Sequence, residues 1–146
     1  MKKMIIICVA IVVIASSALI IVRIKTRINL PNIEMVALIE LEYFDIIDGM
    51  RKSICFVAIE NQNDIDTILS VLSEARLVNR WGALNDSPLI WSSYLSVFIY
   101  SDEHLMERLF LYTTESRGYV FASYRGLYRI DQNIILKIHQ MMYVVN

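Results

Sequence analysis

Met35–Ile59 reads MVALIELEYFDIIDGMRKSICFVAI, two runs of strand formers on either side of Asp48-Gly49. Asp-Gly between alternating apolar residues is a strong short-range hairpin signal, because a tight turn needs positive φ and Gly adopts it at little cost. With that pair as the turn, Tyr43 faces Ile54, Leu41 faces Phe56 and Ile39 faces Ala58 on one apolar face. Glu42 and Glu40 then fall opposite Cys55 and Val57 on the other, mixed face.

Downstream the period changes. Ile65, Ile68, Leu69, Leu72 and Ala75 recur at helical spacing within 61–76, with Asn63 as N-cap and Asp64 and Asp66 in the first turn. Leu77–Ser87 reads as a connector that ends in the turn residues Asn85-Asp86-Ser87-Pro88. A strand-rich block follows: 90–100, a break at 102–107, then 108–113, 119–124 and 127–130. Asp131 caps a last helix whose Ile134, Ile138, Met141 and Met142 share one face. This order, ββαββββα, predicts an α+β fold: an antiparallel sheet of about five or six strands with two helices on one face.

Upstream, Met4–Val22 is an uncharged run of 19 residues between Lys2-Lys3 and Arg23, Lys25 and Arg27. As a helix it measures about 28 Å at ~1.5 Å per residue, close to a bilayer's hydrocarbon thickness, and it satisfies its own backbone. A cleaved signal peptide would use the small residues Ala15-Ser16-Ser17, but the apolar run continues past them to Val22, which favours a retained anchor. Cys8 lies too near Lys3 to follow an insertion signal as a lipidated residue. The expected division is an anchor with basic flanks at 1–28, a linker at 29–32 around Pro31, and a soluble domain at 33–146. Flanking charge, two against three, does not select an orientation. A cytoplasm-facing accessory subunit of a membrane complex therefore stays open beside an extracytoplasmic domain.

The 146 residues suit one domain, and four Gly and two Pro exclude low-complexity disorder. Residues 1–28 hold five of the 14 Lys and Arg and none of the 15 Asp and Glu, so the remainder carries a net charge of −6. Such a body has no broad basic face for nucleic acid, and on its basic stalk it should be held off an anionic membrane surface. Two Cys exclude a disulfide framework. There is no Gly-rich phosphate loop, and His104 and His139 lack the neighbours of a metal site. Cys55 reads as a small strand hydrophobe and Glu40 and Glu42 as solvated alternation rather than as a nucleophile or a carboxylate pair. No catalysis, metal or cofactor is expected.

The aromatic content points to binding. Trp91, Tyr94, Phe98, Tyr100, Phe110, Tyr112, Tyr119, Phe121, Tyr124 and Tyr128 all fall in the strand-rich block, where Tyr supplies an apolar body and a polar tip. Cross-strand packing accounts for most of them. With helices on one face only, the other meets water or a protein partner, and Leu38, Phe44, Cys55 and Val57 are candidates for that patch. For a specific ligand, the candidates are Asn85 and Asp86 with Tyr124, Arg125 and Tyr128, Arg125 being suited to an anionic group.

Asn85-Asp86-Ser87-Pro88 ahead of a long strand, with Gly118-Tyr119-Val120 and Tyr124-Arg125-Gly126-Leu127-Tyr128-Arg129-Ile130 before the final helix, resembles a family of small domains of unknown function. That family occurs in Gram-positive bacteria behind an N-terminal membrane anchor or signal. Its pattern is Asn-Asp-(Thr/Ser)-Pro and a Tyr-Asn-Gly-Ile-Tyr-like element, and here Arg125 stands for the Asn and Leu127 for the Ile. The resemblance spans about residues 33–143. It implies a single-pass protein of the bacterial cell membrane with an extracytoplasmic, non-catalytic domain, and it brings no established site residues. An immunity or inhibitor-like module, or a sensor of small ligands or cell wall, fits that setting.

Overall fold

The structure is a computed structural model that describes residues 26–79, 93–102, 104–114, 117–122 and 125–144. The apolar run at 4–22 lies outside them, and among the described residues no helix is long and apolar enough to cross a membrane. The elements are β1 (Leu38–Ile47), β2 (Met50–Ile59), α1 (Gln62–Leu72), β3 (Arg76–Asn79), β4 (Tyr94–Ser101), β5 (His104–Thr114), β6 (Arg117–Ala122), β7 (Gly126–Ile130) and α2 (Gln132–Val144). All strand pairs are antiparallel, in the order β2-β1-β4-β5-β6-β7-β3.

The α+β class stands, with seven strands instead of five or six. The added strand is β3, in the stretch expected to be a connector. At four residues it is too short to show alternation, and only its partner β7, about 50 residues later, makes it a strand. β5 also begins earlier than expected, at His104, because a bulge opposite Ile99 and Tyr100 brings 104–107 into the ladder. The α1 cap is Asn61 rather than Asn63: its side chain accepts the backbone N–H of Asn63 at 2.9 Å and of Asp64 at 3.3 Å. Asp131 caps α2 as read, accepting the N–H of Asn133 at 2.9 Å.

The β1–β2 register needs a correction. Asp48 (φ 55°) and Gly49 (φ 73°) form the expected two-residue turn, and Ile47↔Met50 through Phe44↔Ser53 pair as read. Between Tyr43 and Phe44 the register slips by one residue, so Tyr43 opposes Cys55, Leu41 opposes Val57 and Ile39 opposes Ile59. Ile54 is the extra residue of a bulge. The slip exchanges the two faces of the far half of β2: Val57 and Ile59 are buried, while Phe56 and Ala58 are exposed. Cys55 and Val57 therefore face the helices and leave the open patch to which they were assigned.

The main core lies between the sheet and the helices. Ile39, Leu41, Val97, Ile99, Leu109, Leu111 and Val120 meet Ile65, Ile68 and Leu72 of α1 and Ile135, Ile138 and Met142 of α2. Each such side chain contributes roughly 1.5–3 kcal/mol on burial. Residues 26–32 lie against this body: Leu77 donates its N–H to Thr26 O at 2.6 Å, Ile28 donates to Ala75 O at 3.3 Å, and Ile28 is buried.

Candidate functional site

The sheet face away from the helices carries a second cluster, and among the described residues no helix residue belongs to it. Tyr94, Phe110, Tyr112 and Phe121 are buried there, with Phe44, Tyr119 and Leu127 packed against them. Phe44 stacks on Tyr94 at 5.0 Å, Tyr94 meets Phe110 edge-on at 5.7 Å, and Tyr112 stacks on Tyr119 at 5.3 Å. Guanidinium groups lie over the layer: Arg51 is 5.1 Å from the Tyr94 ring centre, and Arg108 is 4.8 Å from Phe98 and 4.6 Å from Phe110. Burial and the nearby Tyr119 push the Tyr112 hydroxyl up to about 12. Toward the sheet edge the layer becomes accessible. Phe56 is 52% exposed and Ile54 48% on the edge strand β2, and Met50 and Ile47 are exposed at the same hairpin.

At the opposite edge the same face turns basic. Register places Arg27 opposite Arg76, Arg76 opposite Arg129, and Arg129 opposite Tyr119. Arg76, Arg117 and Arg129, with Glu74, Asp131, Gln132 and Asn133, line an open cleft of about 450 Å³. Like charges in directly opposed positions disfavour a sheet. Arg125, away from this row, pairs with Glu107. Three guanidinium groups facing one cleft are suited to an oxyanion, which they bind through paired N–H donors.

The residues proposed from the sequence fall in different places. Asn85, Asp86 and Tyr124 lie outside the described residues. Arg125 has an internal role: Nη2 pairs with Glu107 Oε2 at 2.5 Å and Nη1 donates to Asn29 O at 2.5 Å. It thereby ties the β6–β7 turn to β5 and to the segment ahead of β1. Glu107 is buried on the helix-facing side, and burial raises its carboxyl above the usual range against the opposing pull of Arg125 and the Arg108 N–H. Tyr128 is buried in the main core. Glu40 and Glu42 lie on the aromatic face, where Glu40 accepts a hydrogen bond from Tyr100 and raises its hydroxyl pKa. Among the described residues, no three His, Cys, Asp or Glu side chains gather as a metal site would need.

The arginine cleft went unseen in the sequence because its residues come from three separate stretches, 76, 117 and 129. Only the pairing of β3 with β7 assembles it. Neither the curated proteins nor the solved structures contain a match to this chain. A family model, DUF5301, described as "Domain of unknown function (DUF5300)", matches residues 24–129. That span takes in β1 to β6 and all of β7 but its last residue, and the chain therefore belongs to this family of domains of unknown function.

Proposed function

We propose that this is a non-catalytic protein-binding domain held at the bacterial cell membrane by Met4–Val22. Its partner surface is the β2 edge and the adjoining aromatic face, and the domain is extracytoplasmic, acting as an immunity or inhibitor-like module. The observation that carries this reading is the pair of exposed apolar residues Ile54 and Phe56 on a ten-residue edge strand, next to an aromatic layer that no helix covers among the described residues. A long apolar edge presents backbone donors and acceptors for an added strand and side chains to recognise it.

The test is photo-crosslinking in intact cells, with the reactive group placed at Phe56 or at Leu136, which is exposed on α2. A discrete adduct is expected from Phe56, none from Leu136, and loss of the adduct in Ile54→Lys. Equal adducts from both positions, or none from either, would overturn the surface. Protease added to intact cells should remove a C-terminal tag, and protection until lysis would reverse the orientation.

A further inference from the structure

We infer that the Arg76–Arg117–Arg129 cleft binds phosphate groups of anionic lipids, so that the domain rests on the bilayer by its β3 edge. The inference rests on the reading of 4–22 as a membrane anchor. The chain enters the folded body at this same edge, where Thr26–Ile28 hydrogen-bonds to Ala75 and Leu77. Arg27 stands directly opposite Arg76 and extends the row of arginines outward from Arg129. Five peptide steps separate Val22, the last residue of the apolar run, from Arg27, so this edge lies no more than about 18 Å of chain from that run. Arg23 and Lys25 in the intervening sequence add two positive charges.

The occupant follows from charge and proximity together. Within this tether, the oxyanions present at highest density are the headgroup phosphates of the membrane itself. The cleft opposes them with three guanidinium groups against the carboxylates of Glu74 and Asp131, and Asp131 already caps α2. The −6 of the body does not prevent such contact, because among the described residues the cleft lining holds two acids, Glu74 and Asp131, against three arginines, while Glu40 and Glu42 are on β1 and Asp64 and Asp66 are on α1. An acidic body with one basic edge turns that edge to an anionic surface.

The test uses the full chain in nanodiscs of phosphatidylcholine with or without phosphatidylglycerol, following amide hydrogen exchange at residues 74–79 and 129–133. Phosphatidylglycerol should slow exchange there about tenfold, with reversal at high salt, while β1 and β4 stay unchanged. Arg76→Gln, Arg117→Gln and Arg129→Gln should each weaken the docked state about fivefold. A chain retained in the discs whose β3 edge exchanges alike in both lipids overturns docking and leaves the anchor standing. A chain that does not stay with the discs overturns the anchor, and docking with it. Inorganic phosphate that gives the same slowing in phosphatidylcholine discs overturns the lipid in favour of a free oxyanion.

Discussion

Glu107 and Arg125 form a buried charge and its partly exposed counter-ion, with side chains 6% and 42% accessible. Beyond that ion pair, Glu107 Oε2 has no hydrogen-bond partner. Arg125→Gln should cost about 2 kcal/mol by urea unfolding at pH 7, a charged-group loss discounted for the solvent around the guanidinium. Because burial raises the Glu107 pKa in the folded state, its contribution is full below the ordinary value of 4.5 and is lost as pH rises through the folded value. Arg125→Gln should extend that loss toward neutral pH. Adding Glu107→Gln should restore part of the stability at pH 7 and flatten the slope; a double variant no more stable than the single one would count against this account. His139 runs the opposite way. Its ring lies 4.4 Å from Tyr43 and 5.3 Å from Tyr143, its Nε2 is buried without a partner, and burial lowers its pKa from 6.5. Its contribution is full above about 6.5 and is lost as pH falls through the folded value. His139→Phe should therefore unfold with less acid sensitivity between pH 6.5 and 5, measured by thermal melts across that range.

At the scale of elements, two contacts show how strands and helices were matched. α2 crosses β6 at Gly118, where an added Cβ would stand 2.9 Å from Ile135 Cδ1 and 3.0 Å from both Gln132 Cα and Ile130 O. Two of those three neighbours are backbone and cannot turn aside. Gly118→Ala should lower stability by about 1–3 kcal/mol through overpacking, read from the shift of the urea midpoint. On the far edge the opposed Arg27, Arg76 and Arg129 repel. Arg129→Gln should raise stability by about 0.5 kcal/mol at low ionic strength, and the gain should vanish in high salt. The β1–β2 hairpin shows why its turn was legible and its register was not. Asp48-Gly49 carries its own conformational signal, whereas the bulge at Ile54 is chosen by what lies across the core. Pairing Val57 and Ile59 with the helices left Phe56 outside.

For the whole molecule, the segment at 26–32 is part of the folded body, although Pro31-Asn32 has the composition of a linker. Ile28 is buried, Leu30 and Ile33 pack on the main core, and Arg125 binds Asn29 O. A chain beginning at Ile33 should melt several degrees below one beginning at Ile24, since burial of Ile28 alone is worth roughly 1.5–3 kcal/mol. Equal melting temperatures in differential scanning calorimetry would refute this. The α+β class, the turn at Asp48-Gly49, both helices and the Asp131 cap were legible in the sequence because each rests on periodicity or on residues adjacent in the chain. The arginine cleft, the internal role of Arg125 and the place of β3 were not, because each joins residues separated by tens of positions. By itself the sequence determined both helices, the first hairpin and most of the later strands, and it set apart an apolar run at 4–22, since local conformation and hydrophobic period act over a few residues. Only the tertiary structure decided which face Phe56 presents, which carboxylate Arg125 neutralises and that three arginines share a cleft, because those outcomes depend on the sheet order that minimises exposed apolar surface across the whole chain.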